Sequence, residues 1–222
     1  MLACCLFGAA RQAQAQLTTI TDERVWFTLM FQSKTDTKGP WRWSFENIVR
    51  SRDGVSTVDN AGIRPILNYV INKHSTVGGG YAYIEYWPDA KPSFHEQRAF
   101  EQYIFTSKVP GGNFTLRERL EQRFTEHNDG TAFRLRQQFR YSHGIKKGSP
   151  ISLVGYDELF IHLNQTRLLR QGVEQNRIFG GISDTINKTW KFEVGYLNQY
   201  VPGHGLTAHM NHVLSTNLAI AF

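Results

Sequence analysis

Cysteine is nearly absent: the 222 residues contain two, Cys4 and Cys5, side by side at the start. That excludes a disulfide-stapled scaffold, which needs cysteines spread along the chain. Long apolar runs are also missing. None approaches the ~20 residues that a membrane-spanning helix requires. Charged residues make up 20% of the chain and aromatics 13%, which excludes disorder, coiled coil and collagen. Acidic residues are the minority charge, 19 against 25 Lys+Arg, for a net charge of +6.

The first residues, Met1 to Ala10, are small and apolar, and Ala13-Gln14-Ala15 follows. A small-x-small triplet behind an apolar stretch reads as a secretory signal cleaved after Ala15, leaving residues 16–222 as one domain. A lipid anchor on Cys4 and a buried N-terminal helix are the alternatives.

What fills the rest is period-two alternation. Phe133, Leu135, Phe139 and Tyr141 share one face of a segment whose other face carries Arg134, Arg136, Gln138 and Arg140. Phe114, Leu116, Leu120 and Phe124 likewise oppose Arg117, Arg119, Glu121 and Arg123, and Trp41, Trp43, Phe45 and Val49 oppose Arg42, Ser44, Glu46 and Arg50. A helix would scatter these sets around its circumference. Ten turn-rich gaps, from Thr35–Pro40 to Pro202–Thr207, leave eleven legible strands. Single-chain bacterial outer-membrane barrels carry even numbers, so the expectation is an all-β, antiparallel, up-and-down transmembrane barrel of twelve strands, with ten as the alternative. Ile71-Asn72-Lys73 before Gly80-Tyr81 and Ile186-Asn187-Lys188 before Gly195-Tyr196 read as the same hairpin used twice.

Alternation fits a soluble barrel with a greasy inside or a membrane barrel with a greasy outside. The polar face is rich in Arg rather than Lys, and planar guanidinium groups suit a crowded, carboxylate-bearing lumen. Trp26, Trp41, Trp43, Tyr69, Tyr86, Trp87, Tyr141, Trp190 and Tyr200 near segment ends read as interfacial belts. Leu214, Leu218, Ile220 and Phe222 share one face of the last strand, and a terminal aromatic there resembles a barrel membrane-insertion signal. The expected location is the bacterial outer membrane, with its lipid and the barrel-assembly machinery as partners.

Arg42 and Glu46, Arg64 before Asn68-Tyr69, Gly80-Tyr81, Glu96-x-Arg98 and Arg117-x-Arg119-x-Glu121-x-Arg123 recur in order with Arg134-x-Arg136, Glu158-x-Phe160, Arg177, Gly195-Tyr196 and Phe222. In this succession the chain resembles the bacterial domain-of-unknown-function family 2490. The resemblance implies a secreted, outer-membrane-type barrel and no reaction.

By parity Arg42, Arg50, Arg64, Arg98, Arg117, Arg119, Arg123, Arg134, Arg136, Arg140 and Arg177 point into the lumen with Glu46, Glu96, Glu121, Glu158 and Glu193. Cross-strand ladders such as Glu121 with Arg134 or Arg136 follow from strand spacing. The lumen is then either plugged by salt bridges or, because arginine is in excess, a narrow passage for an anionic solute. A lipid-modifying enzyme would need a serine–histidine pair, for which His162, His204, His209, His212, Ser183 and Ser215 are the residues to examine. A soluble ligand-binding barrel is a further alternative. No metal or cofactor motif is present, and segregation of arginine from aromatics argues against nucleic acid. Loop bases Lys91, Arg167 and Arg170 are placed to meet lipopolysaccharide phosphates.

Overall fold

The structure, a computed structural model, describes residues 18–34, 37–146, 148–203 and 207–222. The cleavage site, Cys4 and Cys5, and His204 lie outside them. Eleven strands follow one another: β1 Thr18–Gln32, β2 Trp41–Arg52, β3 Thr57–Val70, β4 Ser75–Tyr86, β5 Phe94–Val109, β6 Gly112–Thr125, β7 Ala132–Gly144, β8 Ile151–His162, β9 Gly172–Asp184, β10 Trp190–Val201 and β11 Thr207–Ala221. Each pairs with its sequence neighbours, and β1 closes on β11 to make a barrel without edges.

The count is eleven, neither twelve nor ten. A meander reverses at every turn, so an odd number leaves its first and last strands pointing the same way. The seam is accordingly parallel, Thr18 opposite Thr207 through Gln32 opposite Ala221, while every other pair is antiparallel. The barrel is therefore mixed, not strictly up-and-down. Thr18 lies at one mouth (the N-terminal mouth) and Phe222 at the other (the C-terminal mouth).

Orientation follows the alternation. On β7, Phe133 and Phe139 are 39% and 44% exposed on the outer wall, whereas Arg134 and Arg136 are 3% and 6% exposed inside. Trp41, Trp43, Tyr69, Tyr141, Trp190, Leu214 and Phe222 are also exposed. Two aromatics expected in that outer set are not there. Trp26 is buried in the lumen, and the Tyr86 hydroxyl turns into the lumen, where it accepts from Arg98 Nη2 at 2.7 Å. Each shares the parity of inward residues on its strand, Thr28 for Trp26 and Ile84 for Tyr86. Trp26 lies in the middle of β1 rather than at its end, and Tyr86 ends β4 on the inward face.

The twice-used hairpin is real. Asn72 Oδ1 accepts from the backbone N–H of His74 and Ser75 at 2.8 and 2.9 Å, and Asn187 Oδ1 accepts from Thr189 and Trp190 at the same two distances. An asparagine carbonyl closing such a turn replaces a backbone acceptor. Downstream, each strand has a bare glycine beneath an inward ring. A Cβ on Gly80 would stand 2.5 Å from the tip of Phe100, and one on Gly195 would stand 2.6 Å from the tip of Phe179. Gly80→Ala should destabilise the barrel by about 1–3 kcal/mol, the usual penalty for overpacking. A reduced urea midpoint is the expected reading; an unchanged midpoint would mean that Phe100 does not need that seat.

Candidate functional site

The side chains inside the barrel form two levels. Nearer the N-terminal mouth, ion pairs fill the width. Glu96 accepts from Arg98 and Arg123, each at 2.6 Å. Glu121 accepts from Arg134, its register partner on the next strand, through Nε at 2.8 Å and through Nη2, and from Arg136 at 2.8 Å. Glu158 binds Arg136 and Arg117 at 2.6 and 2.8 Å. Arg119, with Gln102 as acceptor at 2.7 Å, and Glu121 are both 1% exposed. Solvent does not reach these two side chains.

A bulge adds a carboxylate that strand parity hides. Phe160 pairs with Gln175 and Ile161 with Val173, so Glu174 between them has no partner strand residue. The extra residue re-aims its side chain, and Glu174 turns inward to accept from Arg123 at 2.9 Å and Arg134 at 2.7 Å. His162 joins the same cluster, 2.8 Å from Arg123. Gln175, Gln199 and Asn211 continue the network as a chain of amides.

Apolar side chains share this interior, which alternation read as purely polar. Trp26, Val154, Phe179, Leu197 and Val213 make a buried cluster on one side. Arginines lie over rings: Arg119 over Phe100 at 4.1 Å, Arg136 over Phe160 at 4.6 Å, and Arg50 and Arg177 over Trp26 at 4.4 and 4.7 Å. Segregation of arginine from aromatics therefore fails inside the barrel. Phe100, Phe160 and Trp26 occupy inward positions among the arginines, and desolvated cation–π contact favours that arrangement.

Toward the C-terminal mouth the lumen widens into a cavity of about 460 Å³. It reaches from Trp26, Glu158 and Arg177 at mid-barrel to Gln32 and Lys191 at the strand ends. Arg64 pairs here with Glu46 at 2.7 Å, and Arg140 with Glu193. Arg42 has inward parity but lies at the strand end, where Nη1 donates to the carbonyls of Gly39 and Trp41.

The serines and histidines do not converge. Ser183 faces Ser152 at one mouth while His162 faces Gly172 at the other. Ser215 is buried inside, whereas His212 stacks on Tyr196 of the outer wall. Among the described residues, no group of His, Cys, Asp and Glu is arranged to hold a metal ion.

Removing one member of the filled level should be costly, because the remaining charges stay buried. Glu121→Gln leaves Arg134 and Arg136 short of a carboxylate and should cost about 3–5 kcal/mol. Asp129→Asn, which breaks the exposed pair with Arg167 at 3.7 Å, should cost about 0–1 kcal/mol. Denaturant titration of both variants checks the contrast; equal losses would contradict it.

Comparison with known proteins agrees with the succession of motifs. An uncharacterized protein of Methylorubrum extorquens is 29% identical over 222 residues, spanning 98% of this chain and 95% of its own length. No solved structure matches. The family DUF2490, described as a protein of unknown function, matches residues 23–209. The chain belongs to that family.

Proposed function

We propose that this protein is an outer-membrane β-barrel with a structural role, its lumen closed to ion flow. The observation that carries the reading is the partition across the wall: exposed Phe133, Phe139, Trp43 and Leu214 outside, against Arg119, Glu121 and Arg134 sealed inside. A soluble barrel has the reverse arrangement. Three acidic groups on the outer wall fit as well. Glu101 accepts from Gln122 at 2.9 Å, Glu118 from Gln137 at 2.6 Å and Asp157 from Asn176 at 2.9 Å. Polar groups facing lipid need such partners.

Export would use the signal at residues 1–15, and Leu214, Leu218, Ile220 and Phe222 would present the last strand to the assembly machinery. Lys91 lies between β4 and β5, and Arg167 and Arg170 lie between β8 and β9. All three sit at the N-terminal mouth, positioned for lipopolysaccharide phosphates if that mouth faces outward. A narrow anion-favouring channel is the second reading, favoured by the arginine-rich cavity. The dispersal of Ser183, Ser215 and the described histidines offers no support for a lipid-modifying enzyme.

Two measurements decide. Fractionation should place the protein in the outer membrane; recovery free in the periplasm would favour a soluble barrel. In planar bilayers the folded protein should give no steady conductance above baseline. Anion-selective steps would replace the closed barrel by the channel.

A further inference from the structure

Six arginines line the cavity at the C-terminal mouth, and four of them have a carboxylate. Arg64 has Glu46, Arg117 and Arg136 share Glu158, and Arg140 has Glu193. Arg50 and Arg177 have none within ion-pair distance among the described residues. Arg177 donates from Nε to the neutral amide oxygen of Gln175 at 3.3 Å. Both lie over the Trp26 ring, at 4.4 and 4.7 Å, and Arg177 also lies over Phe160 at 4.5 Å. The rings hold two like charges together within one enclosed space.

Glu158 lies opposite Arg177 in register but is committed to Arg136 and Arg117. Guanidinium groups left without a direct ion pair in a desolvated lumen are costly. The same fold neutralises Arg98, Arg123, Arg134 and Arg136 with glutamates, so the missing pair is specific to this place. A guanidinium lying on a ring keeps its edge N–H groups available, in a fork that matches an oxyanion. We propose that the cavity is a binding site for a small oxyanion, a carboxylate or a phosphate, held by Arg50 and Arg177. Its volume, about 460 Å³, is that of a small-molecule site. Trp26, Ile48 and Leu197 on its walls accommodate an apolar body behind the charged group. Lys191, at the start of β10, lines the entrance and has no ion-pair partner among the described residues. It raises the local concentration of anions there. Above the cavity the sealed level of Arg119 and Glu121 makes the site blind, a pocket rather than a path.

The inference depends on the lumen and holds wherever the barrel resides. The test is calorimetric titration of the full chain, folded in detergent at low salt, with inorganic phosphate and separately with benzoate. Saturable binding of at least one is expected, and the stronger of the two identifies the headgroup. Arg50→Gln and Arg177→Gln should each weaken it by about tenfold or more, the loss of a charge-assisted contact. Their unfolding midpoints should be equal to or above that of the parent, because repulsion between the two cations is relieved. Arg50→Lys and Arg177→Lys keep the charge and guard against misfolding; they should bind more weakly than the parent. Arg170→Gln, at the opposite mouth, should bind as the parent does. Absence of saturable binding by the parent, or glutamine and lysine variants that bind as tightly as the parent, would overturn the site. Binding in detergent by a protein that fractionates with the periplasm would keep the site and remove only the proposed location.

Discussion

Guanidinium–carboxylate pairing inside a closed sheet is the constraint on which the rest depends. Once Glu121 holds Arg134 and Arg136, and Glu96 holds Arg98 and Arg123, the faces of β5, β6 and β7 are fixed. A slip of one residue would place those charges on the outer wall and the phenylalanines in the middle. Neither partner can leave alone without stranding a buried charge. The interior is therefore rigid where the pairs are dense, and open where they thin out toward the C-terminal mouth.

Local alternation carried much of this. The faces of β7 could be read directly, because Phe133, Leu135 and Phe139 alternate with Arg134, Arg136 and Arg140 and nothing interrupts the period. The Glu121–Arg134 pair was legible for the same reason, since the residues oppose each other on neighbouring strands. The number of turn-rich gaps also gave eleven strands; the even-number habit of bacterial barrels pulled the expectation away from it. A parallel seam accommodates the odd strand.

Other features lay beyond a strand-by-strand reading. Glu174 turns inward through a bulge, which breaks the parity on which the reading relied. Arg117 with Glu158 and Arg140 with Glu193 reach across strands that are not neighbours, so their pairing is set by how the barrel closes and tilts. Arg177 stands opposite Glu158 in register, yet that carboxylate is taken by Arg136 and Arg117. Trp26 reads as a belt residue only if β1 begins near it; the strand begins at Thr18, which puts Trp26 at mid-barrel beside Arg50 and Arg177.

The outward orientation of the apolar face is tested most directly by spin labels on β7. Single cysteines at positions 133, 135 and 139, and at 134, 136 and 138, would carry a nitroxide in a background with Cys4 and Cys5 replaced by serine, reconstituted in lipid vesicles. Labels at 133, 135 and 139 should collide freely with lipid-dissolved oxygen and little with a water-soluble nickel chelate, and labels at the even positions should be shielded from oxygen. Strong collision with the chelate at 133, 135 and 139 would put that wall in water and contradict the account.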